Sequence, residues 1–403
     1  MRFAVVAVFV IAGSEPSSHE WPEFRGPGGQ GHAAQTGLPL EWSESKNVAW
    51  KVPVAGTGWS SPVVGGGRVW LTSATGDREV SLRTLAYDVA TGREVVNVEV
   101  FKLRRLRPIN PKNSWASPTP VLDGDRVYVH FGADGTAALS TSGDVIWKTQ
   151  VPYDSQHGAG GSPVVHGDLL VFSGDGYDTA FVVALDTRTG KTRWKTSRRE
   201  PFSQAYTTPL TIQAGGRDQI VSVGAFRAGA YDPANGKEIW RVGYGDGFSN
   251  VPRPVFGHGL VYIATGFHQP ALMAVRADGA GDVTRTHVAW TVQRGVPLTP
   301  SPIVVGDELY MVNDGGIASC LDAKTGAVQW QQRLGGTYSA SPLFADRRIY
   351  FPSENGVTTV LAPERTFRKL ASNTLDGALL ASMAVSGQSF IIRSDKHLYK
   401  IAQ

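Results

Sequence analysis

Residues 161–194, GSPVVHGDLLVFSGDGYDTAFVVALDTRTGKTRW, contain both halves of the unit that decides the fold. The first half is a small residue, Pro163, two apolar residues, a turn at Gly167 and Asp168, and an apolar run from Leu169 to Phe172. Short apolar runs rich in β-branched and aromatic side chains and bounded by Gly and Asp form strands. The second half passes from apolar residues through Asp186, Thr189 and Gly190 to Trp194. In such a turn the Asp side chain binds the local backbone and Gly takes a positive φ, so the chain reverses into an outer strand. The Trp then carries a large flat ring into a seam between neighbouring units, where it buries extensive apolar surface.

The first half recurs eight times. Its copies are SSPVVGGGRVW from Ser60, PTPVLDGDRVYV from Pro118, GSPVVHGDLLVF from Gly161, TTPLTI from Thr207, PRPVFGHGLVYI from Pro252, PSPIVVGDELYM from Pro300, ASPLFADRRIYF from Ala340 and ASMAVSGQSFII from Ala381. Taking Pro62, Pro120, Pro163, Pro209, Pro254, Pro302, Pro342 and Met383 as equivalent points, the spacings are 58, 43, 46, 45, 48, 40 and 41 residues. All but the first sit at the period of propeller blades, roughly 40 to 50 residues. The insertion FKLRRLRPINPKN accounts for the long first spacing. A Gly-to-Trp step of four residues joins Gly143 to Trp147, Gly190 to Trp194, Gly236 to Trp240 and Gly326 to Trp330, with Val96 replacing Trp after Gly92. The last copy ends at SDKHLYKIAQ after three strands and without its Trp. NVAWKVPV near the N-terminus supplies the missing strand and, in Trp50, the missing ring. These features predict an all-β fold: an eight-bladed β-propeller with four-stranded antiparallel blades, closed by an N-terminal strand that removes exposed sheet edges.

Composition agrees with many short strands joined by tight turns: 403 residues with 47 Gly, 24 Pro and 11 Trp, only 18% of them charged. A formal charge of +4, dispersed along the chain, gives no reason to expect a nucleic-acid partner. Cys320 is alone, which excludes an intrachain disulfide and any Cys-based zinc or iron-sulfur site. The start, MRFAVVAVFVIAGS, has the order of a secretory signal: Arg2, an apolar run from Phe3 to Ala12, then small residues. Residues 1–19 are therefore expected to be a signal peptide and leader, and 20–403 a single propeller domain. No later stretch approaches the roughly 20 apolar residues of a membrane helix, and no Cys follows the apolar run to carry a lipid anchor. The expectation is a periplasmic or secreted monomer.

Loops before each innermost strand ring one mouth of a propeller channel and carry recognition on a rigid scaffold. The funnel candidates are Trp59, Ser60, Asn113, Trp115, His157, Tyr206, Asn250, Arg253 and Tyr338, a set suited to a small polar ligand, a glycan or a peptide. The insertion gathers Lys102, Arg104, Arg105, Arg107 and Lys112 into a basic loop for an anionic partner, or into one paired with carboxylates of neighbouring blades. GDGYD, with Asp175 and Asp178, offers two carboxylates, which is a turn rather than a calcium loop. No nucleophile elbow, Walker loop or HExxH pairing occurs, and no catalytic residue or metal ligand is assigned.

The Asp-x-x-Thr-Gly-x-x-x-Trp repeat resembles that of the PQQ-like propellers, shared by quinoprotein alcohol dehydrogenases and the outer-membrane assembly factor BamB. The lead-in WPEFRGPGGQGH is similar to the opening of exported PQQ-binding-like propeller proteins of planctomycetes and related bacteria. In the dehydrogenases the resemblance implies PQQ in the funnel, calcium held by acidic and Asn side chains, an Asp base and a disulfide between adjacent cysteines, which Cys320 alone cannot form. The expectation is therefore an exported binding or scaffold protein for an unknown small polar ligand, glycan or envelope protein. The alternative is a PQQ- and calcium-dependent oxidoreductase acting on an alcohol or sugar.

Overall fold

The computed structural model describes residues 21–198 and 204–403. The expected signal peptide lies outside the described residues. Among those described, eight sheets of four antiparallel strands stand around a channel, and the fourth carries Gly281–Asp282 as an added parallel strand on its outer edge. Blade 3 shows the pattern: Val164–His166 nearest the channel, then Leu169–Asp175, Ala180–Asp186 and Thr192–Ser197 outermost. The two central strands are almost wholly buried because both their faces pack on neighbouring blades, so they read as continuous apolar runs rather than alternating ones.

Blade 8 is composite. Val48–Pro53 pairs antiparallel with His397–Ile401, joining the start of the described chain to its end. A buried arginine adds a second fastening at this seam: Arg393 Nη1 in blade 8 donates to Ser60 Oγ at 2.6 Å and to Thr72 O at 3.0 Å in blade 1.

The Asp-x-x-Thr-Gly turns do two jobs. Asp88, Asp186 and Asp322 accept from the Thr three residues on, through both its N–H and its hydroxyl. The glycine, at positive φ, lies against the Trp of the preceding blade: a Cβ on Gly190 would stand 2.5 Å from the Trp147 ring, and one on Gly326 2.7 Å from Trp290. The indole N–H then donates into the same turn, from Trp147 to Thr187 O and from Trp290 to Ala323 O, both at 3.0 Å. Trp50 does likewise to Val89 O at 3.0 Å, and so replaces the ring that blade 8 lacks. Trp240 departs from the rule. Its turn partner in blade 5 is displaced by the segment that holds Gly281–Asp282, and its N–H goes to Gln219 Oε1 at 2.8 Å, while Gln219 Nε2 donates to Ala277 O.

The lead-in is a plug. Trp21 and Val64 exchange backbone hydrogen bonds at 2.8 Å, Leu122 N donates to Pro22 O, and Phe344 binds Gly31 and Ala33. With Gln30 Oε1 on Phe256 N and His32 Nε2 on Val304 O, residues 21–33 engage the innermost strands of blades 1, 2, 5, 6 and 7. These strands have no further neighbour toward the channel, and the lead-in satisfies backbone groups that they would otherwise leave open. The Trp42 ring then packs against both Tyr350 in blade 7 and Phe390 in blade 8, which meet each other directly.

Candidate functional site

Opposite the plug, the channel mouth opens into a cavity of about 570 Å³. Its floor follows from the repeat. The residue before the repeat Pro, or before Met383 in the last copy, is Ser61, Thr119, Ser162, Thr208, Ser301, Ser341 or Ser382 in seven blades and Arg253 in the eighth. The hydroxyls form an almost complete circle from blade to blade. Ser61 N donates to Thr119 Oγ1 at 3.0 Å, Thr119 N to Ser162 Oγ at 2.9 Å, and Ser162 N to Thr208 Oγ1 at 2.9 Å. The circle resumes from Arg253 N to Ser301 Oγ and continues through Ser341 and Ser382 back to Ser61 Oγ, at 2.9–3.0 Å. All seven hydroxyl residues are buried and line the cavity. Each accepts one backbone N–H, so its own O–H and a second lone pair are available to the lumen.

Arg253 interrupts the circle because its side chain turns down into the plug. Nε donates to Pro209 O at 3.0 Å, Nη1 to Phe24 O at 2.6 Å and Nη2 to the Glu23 carboxylate at 2.9 Å. Phe24 contributes to the cavity lining beneath. Next to this cluster, burial together with the Arg253 charge brings the Arg25 guanidinium down to about 9.

The walls come from the loops between blades. Trp59, Asn113, His157 and Tyr206 line the cavity, joined by Phe248, Phe267, Thr299 and Asp314. The Trp59 indole N–H donates to Lys112 O at 3.0 Å, and Asn113 Nδ2 holds the carbonyls of His157 and Ala159 at 2.7 and 3.1 Å. The other five sequence candidates do not line the cavity, each for a visible reason. Ser60 fastens the seam between blades 8 and 1, and Trp115 packs in the apolar core between blades 1 and 2. Asn250 is buried and donates to Tyr244 Oη and Ala264 O. Tyr338 is buried in the blade 6 to 7 core, and Arg253 faces the plug. Sequence order places all five at the mouth, but the direction of each side chain is set by tertiary packing.

The basic loop is largely paired. Lys102 meets Glu79, Arg107 meets Asp134 and Lys112 meets Glu354, each at 2.6 Å, while Arg104 and Arg105 are exposed. Lys112 thereby ties the insertion to blade 7 across the mouth. Burial works against the charge on Glu354, yet bonds from Lys112, Ser339 and Thr337 hold its carboxyl below the usual range. In GDGYD, Asp178 accepts from Asp154 N, and Asp175 forms a buried ion pair with Arg198 at 2.9 Å. The two carboxylates thus serve separate structural roles.

A calcium-bound quinone needs several carboxylate oxygens around the ion. Among the described residues the cavity wall provides one carboxylate, Asp314, whose oxygens already accept Leu298 N at 2.7 Å, Thr299 N at 3.3 Å and the Thr299 hydroxyl at 2.6 Å. Among the described residues no three His, Cys, Asp or Glu side chains are grouped to hold a metal ion, and Cys320 is buried within blade 6. The residues present do not fit that cofactor.

Eight blades of one four-strand plan, five of them stitched by a Trp N–H to the turn of the next, define a PQQ-like β-propeller. The chain belongs to the family of the outer membrane protein assembly factor BamB, whose model matches residues 32–210 and 224–392. Two solved structures share the fold. BamB from Moraxella catarrhalis aligns with a TM-score of 0.63 at 14% identity, over 88% of this chain and 97% of its own. A europium-containing methanol dehydrogenase aligns with a TM-score of 0.66 at 11% identity, over 94% of this chain and 91% of its own. At these identities the likeness is one of architecture. No curated protein matches the sequence.

Proposed function

We propose that the chain is an exported binding propeller that takes a small polar ligand into its channel mouth and does not turn it over by quinone chemistry. The observation that carries this reading is the blind cup itself. It is closed below by Glu23, Phe24 and Arg253, floored by hydroxyls, and, among the described residues, lined by a single carboxylate that its own loop already holds. Such a cavity can recognise, but among the described residues it lacks the ion cage that calcium-bound quinone chemistry needs. Export is supported by the apolar run behind Arg2 and by membership of the BamB family.

The test is titration of the purified protein with PQQ plus calcium, following Trp fluorescence, melting temperature and dye reduction with alcohols and sugars. The expected result is no saturable change in any of them. Saturable quenching with a raised melting temperature and dye reduction would establish the oxidoreductase instead. Export is tested by cell fractionation, and retention of the full-length chain in the cytoplasm would refute it.

A further inference from the structure

We propose that the cavity is a saccharide site: a short, uncharged saccharide sits with its hydroxyl edge on the hydroxyl floor and its C–H faces against the aromatic wall. The inference rests on the binding role proposed above and names the ligand class.

Three independent features point the same way. The first is the floor. Because every hydroxyl in the circle is oriented by a backbone N–H from the preceding blade, each presents a donor and a remaining acceptor at a fixed height. A polyol, whose groups also donate and accept, uses both halves of that array, whereas an anion uses only the donors.

The second is charge. Among the described residues the only lysine or arginine in the lining, Lys112, is already bound to Glu354 at 2.6 Å, and Arg253 points away into the plug. An anionic ligand would lose its hydration without meeting an uncommitted lysine or arginine, a loss a neutral ligand avoids.

The third is the wall. Trp59 has its indole N–H engaged by Lys112 O, so what remains for the cavity is apolar ring. Across the mouth Phe248 and Phe267 meet edge to face with centroids 5.9 Å apart, and Phe267 is 56% exposed. An exposed aromatic pair over a polar floor suits the alternating C–H faces and hydroxyl edges of a sugar ring. The volume of about 570 Å³ lies within the ~300–1,000 Å³ of small-molecule sites.

The experiment uses the purified protein and four uncharged disaccharides, cellobiose, maltose, xylobiose and N,N′-diacetylchitobiose, with digalacturonate and trialanine as charged and peptide probes. Binding is read by saturation-transfer NMR and Trp fluorescence. At least one uncharged disaccharide should saturate. Trp59→Ala should weaken it more than tenfold, Trp59→Phe should recover most of that loss, and Trp330→Phe, in an outer strand, should leave it unchanged. Saturation by none of the four, or binding indifferent to both Trp59→Ala and Tyr206→Ala, overturns the proposal. If digalacturonate or trialanine binds in their place, sensitive to Trp59→Ala, the uncharged-saccharide class fails while the binding role stands. If no probe binds, both fail.

Discussion

Arg253→Met tests the plug, because the substitution keeps length and apolar bulk while removing every donor. Three acceptors lose their partner: Pro209 O, Phe24 O and the Glu23 carboxylate. Each buried carbonyl left without a donor costs about 1 kcal/mol or somewhat more. Glu23 keeps a side-chain exposure of 18% and can turn toward water, so its share is smaller than the figure for a fully buried pair. Relief of the repulsion between Arg253 and Arg25 returns part of the loss. Only the bonds to Phe24 O and Glu23 hold residues 21–33, so about 1–2 kcal/mol of the loss falls on the plug, and its local opening should become on the order of tenfold more frequent. Arg25 is buried in the native protein, and tryptic cleavage after it reports that opening directly. The assay is mass-resolved proteolysis over time beside urea unfolding of the same sample. If the variant protects Arg25 as well as the parent does and its urea midpoint hardly moves, then Arg253 is not the latch.

Gly190→Ala should cost about 2–4 kcal/mol, since its Cβ would meet the Trp147 ring at 2.5 Å, whereas Gly167→Ala, with open space around it at a similar φ, should cost only about 1 kcal/mol. Equal urea midpoints for the two variants would refute the stitch. Trp50→Ala should destabilise by about 3 kcal/mol and shift a single cooperative transition, as should the larger deletion of residues 47–54. A variant that loses only a minor, separate phase would contradict closure through blade 8. His130 is buried against Phe172 and bonded to Thr136, and burial holds its pKa down to about 3 from the ordinary 6.5. Its contribution is complete above pH 6.5 and is lost as pH falls toward 3, because only the unfolded chain takes up the proton, at up to about 1.4 kcal/mol per pH unit. Urea midpoints between pH 7 and 4.5 should therefore fall more steeply for the parent than for His130→Leu, and parallel slopes would refute the assignment.

The blades were legible because local chemistry and global fold agree. Pro, the turn glycine and Trp recur at blade spacing, and the odd fragment around Trp50 finds its place by counting strands. Trp290 was not legible, because blade 5 carries the extra Gly281–Asp282 bridge between its turn and its outer strand and so breaks the four-residue step. The hydroxyl circle had a signal that was present but unread: Ser or Thr before the repeat Pro or Met in seven copies and Arg in one. Its meaning depends on neighbouring blades meeting at that height, which no single copy contains. Ser60, Asn250 and Tyr338 lie at the right point along the chain and face the wrong way, a choice made by packing. The lead-in has no periodicity at all, and its course beneath the channel follows from the open edges of the inner strands it covers.

The hydroxyl circle also gives the molecule a sense of direction. Every link runs the same way, from each blade's N–H to the hydroxyl of the blade that follows, so the seven bonds behave as a drawstring with its two ends at Thr208 and Arg253. At the seam between blades 8 and 1, where the described chain begins and ends, the drawstring is continuous and is reinforced by the strand at Val48–Pro53 and by Arg393. The one gap in the circle lies between blades 4 and 5, and there other fastenings take over: Arg253 Nε on Pro209 O, Gln219 Nε2 on Ala277 O and the parallel pairing of Trp240 and Arg241 with Gly281–Asp282. A propeller pulled or swollen from within would therefore part first at a seam other than these two, and one of those plainer seams is the place to insert new termini in a circular permutant.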